Sequence, residues 1–274
     1  MFTLNCKGKL LVIDQPIVMG ILNVTPDSFY ESSRIKSIDY ALETAEKMLL
    51  QGAQILDIGG QSTRPGSVPL SADEELIRIL PIIEAINRQF PHSFLSIDTY
   101  HSKVAKEAIS GGASLVNDIS GGLFDKKMIA LVASMKVPYI CMHQKGNFET
   151  MHATSNYVDV IEEVLDYFIQ KVAECTSAGI KDIILDPGFG FSKGSQHNFS
   201  LLKNLEVFSI LKKPILLGVS RKSTIYKTLG ISVEDALNGT TVLHTAGLLK
   251  GATILRVHDV KEAIEAITLT SYLV

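Results

Sequence analysis

Short apolar, β-branched runs recur along the chain, and most are followed by a segment whose apolar residues fall at helical spacing. The runs are Ile17–Leu22, Ile55–Ile58, Phe94–Ile97, Leu115–Val116, Val137–Met142, Ile183–Leu185, Ile215–Val219 and Ile254–Val257. Apolar at consecutive positions, they predict strands buried on both faces, as in a parallel sheet covered by helices. Ile38, Ala41, Leu42, Ala45, Met48 and Leu49 follow the i, i+3, i+4 rule of one buried helical face, which Gly52 ends. Ser71-Ala72-Asp73-Glu74 reads as a capping box ahead of Leu76, Ile77, Leu80 and Ile83. Pro81 removes a backbone donor from that helix and predicts a kink. Further helices are predicted over His101–Ser110, stopped by Gly111-Gly112, and over Val158–Ala178, Val233–Leu249 and Val260–Thr270.

Eight strand–helix units in 274 residues predict an α/β fold, a closed (β/α)8 TIM barrel that uses residues 1–274 as one domain. A doubly wound sheet is disfavoured, because no G-x-G-x-x-G follows the first barrel strand. Phe2–Ile13 precedes that strand, and Lys7-Gly8-Lys9 has the character of a hairpin turn. The hairpin is expected to plug the bottom of the barrel.

Composition narrows the class. Apolar residues at 46% and charged residues at 20% exclude wholesale disorder. A formal charge of −3 leaves no basic excess for nucleic acid. The apolar runs are too short for a membrane span, and the N-terminus has no charged start followed by an apolar stretch. Cys6, Cys141 and Cys175 are odd in number and far apart, and make neither a CxxC pair nor a zinc pattern. A reduced, cytoplasmic protein is the expectation.

Polar residues collect where the predicted strands end: Asn23, Asp57, Asp98, Asn117, His143, Asp186, Ser220-Arg221-Lys222 and Arg256-Val257-His258. In a barrel these share the face where the βα loops build an active site. Any single Asp or Asn there also reads as a helix cap, and Asp57 and Asp118 need be nothing more. Asp98, Asn117 and Asp186 suit a flat heterocycle rich in N–H and C=O groups. Lys222, Arg256 and His258 suit an anion. Together they point to a ligand with a polar ring and an anionic tail.

At these residues the chain resembles the dihydropteroate synthase family of folate biosynthesis. The resemblance rests on Met19–Phe29, Asp57–Gly66, Ser96–Thr99, Val116–Gly122, Cys141–His143, Leu185–Phe191, Ser220–Ser223 and Arg256–Val260, in order along nearly the whole chain. It implies a transferase that joins (7,8-dihydropterin-6-yl)methyl diphosphate to 4-aminobenzoate, giving 7,8-dihydropteroate and pyrophosphate. The C–O bond to diphosphate breaks early and leaves a cation delocalised into the pterin. The resemblance implies catalytic roles for Asp98, Lys222, Arg256 and His258. It places the pterin diphosphate on Thr63, Arg64, Asp98, Asn117, Met142, Asp186, Gly190, Phe191, Lys222, Arg256 and His258. The aminobenzoate, mimicked by sulfonamides in this family, falls to Phe29, Pro65, Lys222 and Ser223. A Mg2+ ion held through Asn23 and a homodimer through late barrel helices are implied as well.

The family's first loop commonly reads Ser-Asp-Gly-Gly after Phe, where this chain has Tyr30-Glu31-Ser32-Ser33. Its second commonly reads Gly-Gly-Glu-Ser-Thr, where this chain has Gln61. Both departures touch loop closure and aminobenzoate affinity. A corrinoid-type pterin methyltransferase shares the barrel but fits the Ser220–Ser223 loop less well. A non-catalytic paralogue is expected to lose Lys222, Arg256 or Asp98, and a phosphosugar barrel enzyme to carry a lysine within a strand.

Overall fold

The computed structural model describes residues 1–24, 31–61, 67–151, 153 and 156–273, the backbone alone for residues 31–37. The chain opens with an antiparallel hairpin, β1 (Phe2–Cys6) and β2 (Lys9–Ile13). Lys7 and Gly8 turn it with φ of 55° and 87°, the left-handed pair that matches strand twist. The barrel strands follow: β3 (Ile17–Asn23), β4 (Ile55–Gly59), β5 (Phe94–Asp98), β6 (Leu115–Asp118), β7 (Tyr139–Met142), β8 (Ile183–Asp186), β9 (Leu216–Leu217) and β10 (Ile254–Val257). They pair in parallel in the order β8-β7-β6-β5-β4-β3-β10-β9. A bridge between Leu185 and Ile215, with Leu185 N–H donating to the Pro214 carbonyl (2.9 Å), joins the two ends and closes the barrel.

The helices are α1 (Glu31–Leu50), α2 (Ala72–Gln89), α3 (Ser102–Gly111), α4 (Met128–Met135), α5 (Val160–Ala178), α6 (Ser195–Lys203), α7 (Ser223–Leu229), α8 (Leu237–Leu249) and α9 (Val260–Thr270). The predicted capping box forms: Glu74 N–H donates to Ser71 Oγ, and Ser71 N–H to Glu74 Oε2. Helix α2 continues on both sides of Pro81. The predicted strand at Val137 begins two residues late, because Pro138 has no N–H for the ladder. Asp159 delays α5 by capping it, accepting from the amides of Ile161 and Glu162. The helix predicted from Val233 starts with a short 3-10 turn, Glu234–Ala236, before α8.

Period-two alternation along the strands separates two environments. Val18, Leu56, Ile58, Leu95, Ile97, Val116, Cys141, Leu185, Leu217 and Leu255 face the helices and form the main core with them. The inward positions at the strand starts, Ile17, Met19, Ile55, Leu115, Ile140, Ile184, Leu216 and Ile254, form a separate cluster with Leu4, Cys6, Leu11 and Ile13 of the hairpin. The hairpin therefore closes the barrel bottom with its apolar face, as the sequence predicts. Asn5 N–H donates to Asp182 Oδ2 (2.8 Å) and Lys7 Nζ to the Ile109 carbonyl (2.6 Å), pinning its rim.

Candidate active site

One turn of the alternation above the apolar floor, the inward positions become polar. Asp57 on β4, Asp98 on β5, Asn117 on β6, Asp186 on β8 and Arg256 on β10 meet there. Arg256 Nε donates to Asp57 Oδ2 (2.6 Å), and its Nη2 donates to Asp98 Oδ2 (2.6 Å). Asn117 Nδ2 donates to the same Asp57 oxygen (3.0 Å). Asp57, read from sequence as a possible cap, is instead fully buried beneath the guanidinium and orients it. Asp118 caps no helix either, since α4 begins only at Met128, and serves instead to brace the loop after β6. Its side chain faces outward and accepts from Ser120, Gly122 and Tyr139.

Asp98 is not a cap for α3. The N-cap there is His101, and the amide of Ser102 donates to Asp125 Oδ2 (2.8 Å) from the neighbouring loop. That leaves the Asp98 carboxyl to the barrel mouth. Burial pushes it up to about 7, against the pull of Arg256 and with further push from Asp57, Asp118 and Asp186. Burial works against the charge of Arg256 also, but Asp57 and Asp98 more than offset it and hold its pKa above the ordinary value.

Across the mouth stands Lys222, the residue before α7. Its Nζ donates to the Phe189 carbonyl and lies 4.7 Å from the centre of the Phe191 ring. Burial pulls it down to about 8, with Asp186 opposing. Asp186 Oδ1 accepts from the Gly188 amide (2.8 Å), and burial raises its pKa. Gly190 has φ of 80°, and a Cβ there would stand 3.2 Å from Lys222 Cδ. Met142 and Phe191 belong to an apolar cluster with Tyr100, Ile119 and Met151 beside these groups. At the rim, Ser220 Oγ is 3.0 Å from His258 Nδ1 and accepts from the His258 amide (3.2 Å). His258 is exposed and sits one inward step above Arg256. Arg221 is turned away, clamping Asp259 through Nε (2.8 Å) and Nη2 (2.9 Å).

Asn23 ends β3 with its side chain exposed. Its Oδ1 and the Asp98 Oδ2 each lie 3.6 Å from where a Gly59 Cβ would be, so the glycine opens the space between them. Ser223 opens α7 next to Lys222. Phe29, Thr63, Arg64 and Pro65 lie outside the described residues, as does Tyr30 of the altered first loop, while the backbone of Glu31-Ser32-Ser33 forms the first turn of α1. Gln61 is described, and it accounts for its own departure. Its Oε1 accepts from the Leu70 amide (2.6 Å) while its Nε2 donates to the Val68 carbonyl (3.2 Å). A glutamate offers only acceptors and lacks the second bond.

Two buried charged residues escaped the sequence reading. Glu75 of α2 accepts from Thr99 Oγ1 (2.9 Å), next to Asp98, and burial pushes it up to about 8. Lys193, behind the Asp186–Phe191 loop, donates to three backbone carbonyls. Neither lies at a strand end, and only the tertiary fold buries them.

A sequence model of the family described as pterin binding enzyme matches residues 19–258. The dihydropteroate synthase of Escherichia coli K12 is 42% identical over 265 residues, covering 96% of this chain and 93% of that protein. The Bacillus subtilis dihydropteroate synthase is 42% identical over 251 residues, covering 91% and 85%. Among solved structures, the Xanthomonas albilineans dihydropteroate synthase with 4-aminobenzoic acid superposes with a TM-score of 0.91 at 35% identity, covering 99% of this chain and 97% of that one. The Yersinia pestis dihydropteroate synthase with a sulfonamide drug gives 0.92 at 37% identity, covering 99% of both chains.

Proposed function

Because the chain belongs to the pterin-binding enzyme family, among its dihydropteroate synthases, we propose that the polar layer of its barrel holds the pterin ring and its rim holds the diphosphate. The activity is a transferase reaction. It condenses (7,8-dihydropterin-6-yl)methyl diphosphate with 4-aminobenzoate to give 7,8-dihydropteroate and pyrophosphate in folate biosynthesis. The observation that carries the site assignment is the facing of Asp98, Asn117 and Asp186 by Arg256 in the same inward layer and by Lys222 from the loop before α7. Release of pyrophosphate, measured with and without 4-aminobenzoate, tests the activity directly.

The pterin edge, with donors and acceptors side by side, suits Asn117 and Asp186, and Lys222 donates to its acceptor atoms. Met142 and Phe191 supply apolar faces, and Gly190 lets the ligand and Lys222 approach the backbone. The methylene C–O bond breaks with its electron pair leaving on the diphosphate oxygen. The cation left in the pterin is stabilised by Asp98, fixed in place by Arg256. The amine nitrogen of 4-aminobenzoate then forms the new C–N bond and releases its proton. Ser223 and Lys222 border the aminobenzoate side, with Phe29 and Pro65 assigned there by resemblance. Thr63 and Arg64 are assigned likewise to the diphosphate, alongside Arg256 and His258. Sulfonamides are read as occupying the aminobenzoate position.

A Mg2+ ion fits the donors at the end of β3. Asn23 would hold it through its side-chain oxygen, and among the described residues no three or more His, Cys, Asp or Glu cluster together. So sparse a protein contribution matches an ion that keeps its waters and binds through substrate phosphates. When bound, it would neutralise charge on the departing diphosphate. Calorimetry is expected to show pyrophosphate binding strengthened at least tenfold by Mg2+ in the wild type, and by less than threefold in Asn23→Ala. An undiminished magnesium effect in that variant removes Asn23 from the ion.

The late helices carry exposed apolar side chains, with Val242 58% and Leu249 46% exposed on α8. We read this face as the surface of a homodimer. Val242→Glu is expected to convert a dimer into a monomer by sedimentation equilibrium, and a wild-type monomer overturns the assignment. No helix among the described residues is long and apolar enough to cross a membrane. Three buried, unpaired cysteines accord with a reducing cytoplasmic setting.

A further inference from the structure

The Asp186–Lys193 loop bends through three left-handed positions, Gly188 (φ 71°), Gly190 (φ 80°) and Ser192 (φ 52°). A backbone bent this way makes no regular ladder, and its carbonyls need partners from elsewhere. Lys193 supplies them. Its side chain is buried, and Nζ donates to the carbonyls of His143 (3.2 Å), Gly188 (3.1 Å) and Phe191 (3.1 Å). An ammonium has three N–H groups, so all three are used. Among the described residues no carboxylate stands within ion-pair distance of it.

These carbonyls join the end of β7 to both limbs of the loop, and the loop in turn places Lys222. The Phe189 carbonyl accepts from Lys222 Nζ, the Phe191 ring lies beneath it, and Gly190 makes room for its stem. Gly188 reinforces the join, since a Cβ there would overlap the His143 carbonyl oxygen. The charged and titratable groups around Lys193 are Asp186, Lys222 and Lys145, with His143 held neutral by burial. Burial pulls Lys193 down to about 7 against Asp186, yet a neutral amine would turn a lone pair toward one of the three oxygens. The cage therefore favours the ammonium.

We propose that Lys193 is a positioning residue whose ammonium gathers the His143, Gly188 and Phe191 carbonyls and so holds the loop that fixes Lys222 over the substrate site. The inference rests on the reading that Lys222 contacts the pterin. Its signature is dependence: Lys193 should matter through Lys222 and not beside it.

A double-mutant cycle tests this with 6-hydroxymethylpterin and inorganic pyrophosphate as calorimetric probes. Lys193→Met is expected to weaken pterin binding at least tenfold and pyrophosphate binding less than twofold. Lys222→Met should weaken pterin binding at least as much, and the double variant no more than Lys222→Met alone. Lys193→Arg should recover less than threefold, because a planar guanidinium cannot aim three N–H groups from one nitrogen. Additive losses, or unchanged pterin binding in Lys193→Met with a loss in Lys222→Met, overturn the proposal alone. Unchanged binding in Lys222→Met overturns the reading of Lys222 and this proposal with it. Should Lys193→Met fail to fold, Lys193→Arg carries the same cycle and the same outcomes.

Discussion

Asp98→Asn is expected to cut the single-turnover rate by about 10²–10³-fold while leaving the affinity for pterin diphosphate within a few-fold. The carboxylate is held by Arg256 Nη2 at 2.6 Å at the end of β5, so it is already aimed before substrate arrives. Its attraction grows as positive charge develops in the pterin, which lowers the barrier more than it strengthens binding. Asparagine keeps the size and one acceptor but not the charge. As a helix cap, asparagine would serve as well as aspartate, but Asp125 already takes the α3 amide. The pH profile gives a second signature. Burial raises the Asp98 pKa to about 7 in the folded enzyme, so the active carboxylate is lost as pH falls through that value. Wild-type single-turnover rates should fall on that acid limb, and the limb should be missing in Asp98→Asn. A variant rate close to wild type would remove the electrostatic role.

Arg256→Ala is expected to have the largest effect on the folded protein. It leaves Asp57 and Asp98 facing each other in the barrel without their shared cation. Stranding buried charge in this way typically costs about 3–5 kcal/mol. Asp98 relieves part of that cost by taking up a proton, which fixes the sign of the pH dependence. Asp98 already has a raised folded pKa, and loss of Arg256 raises it further. A carboxyl whose folded pKa lies above its unfolded value contributes its stability at low pH and loses it as pH rises through the folded pKa. The deficit of the variant in urea unfolding should therefore be small near pH 5 and large near pH 8. A deficit independent of pH would mean that the arginine stabilises by packing alone. Pterin diphosphate turnover should be lost at both pH values.

The parts legible in the sequence were those that a local pattern dictates. Consecutive apolar residues mark parallel strands because both faces are covered, and all the barrel strands follow from that rule. Helices whose apolar residues make one stripe were visible for the same reason. Met128–Met135 was not, since its residues are apolar nearly all round and give no periodicity. Ser195–Lys203 is short and mostly polar, and Ser223–Leu229 spans about two turns. Residue type and position at the strand ends located the polar layer. Partnership within it was not legible, because Arg256 and Asp57 are 199 residues apart and only barrel closure brings them together. Asp57 consequently read as a cap. Lys193 and Glu75 stand where charged residues are ordinarily solvated, and nothing nearby in sequence announces their burial.

The hairpin at the barrel bottom has a consequence for how the chain is made. Leu4, Cys6, Leu11 and Ile13 precede every strand they seal, and the floor they rest on includes Ile184, Leu216 and Ile254. On the ribosome the plug is therefore translated well before its seat exists. A lone two-stranded hairpin is marginal in water, and its apolar face stays incompletely covered until β10 has emerged. The seat is complete only when β10 pairs with β3, which joins residues more than two hundred positions apart. Closing so long a stretch of chain costs entropy before its contacts offset it, which makes this pairing slow. Nascent chains stopped before Ile254 should accordingly display this greasy N-terminal ribbon to chaperones and proteases, and chains extended past β10 should hide it in a single cooperative step.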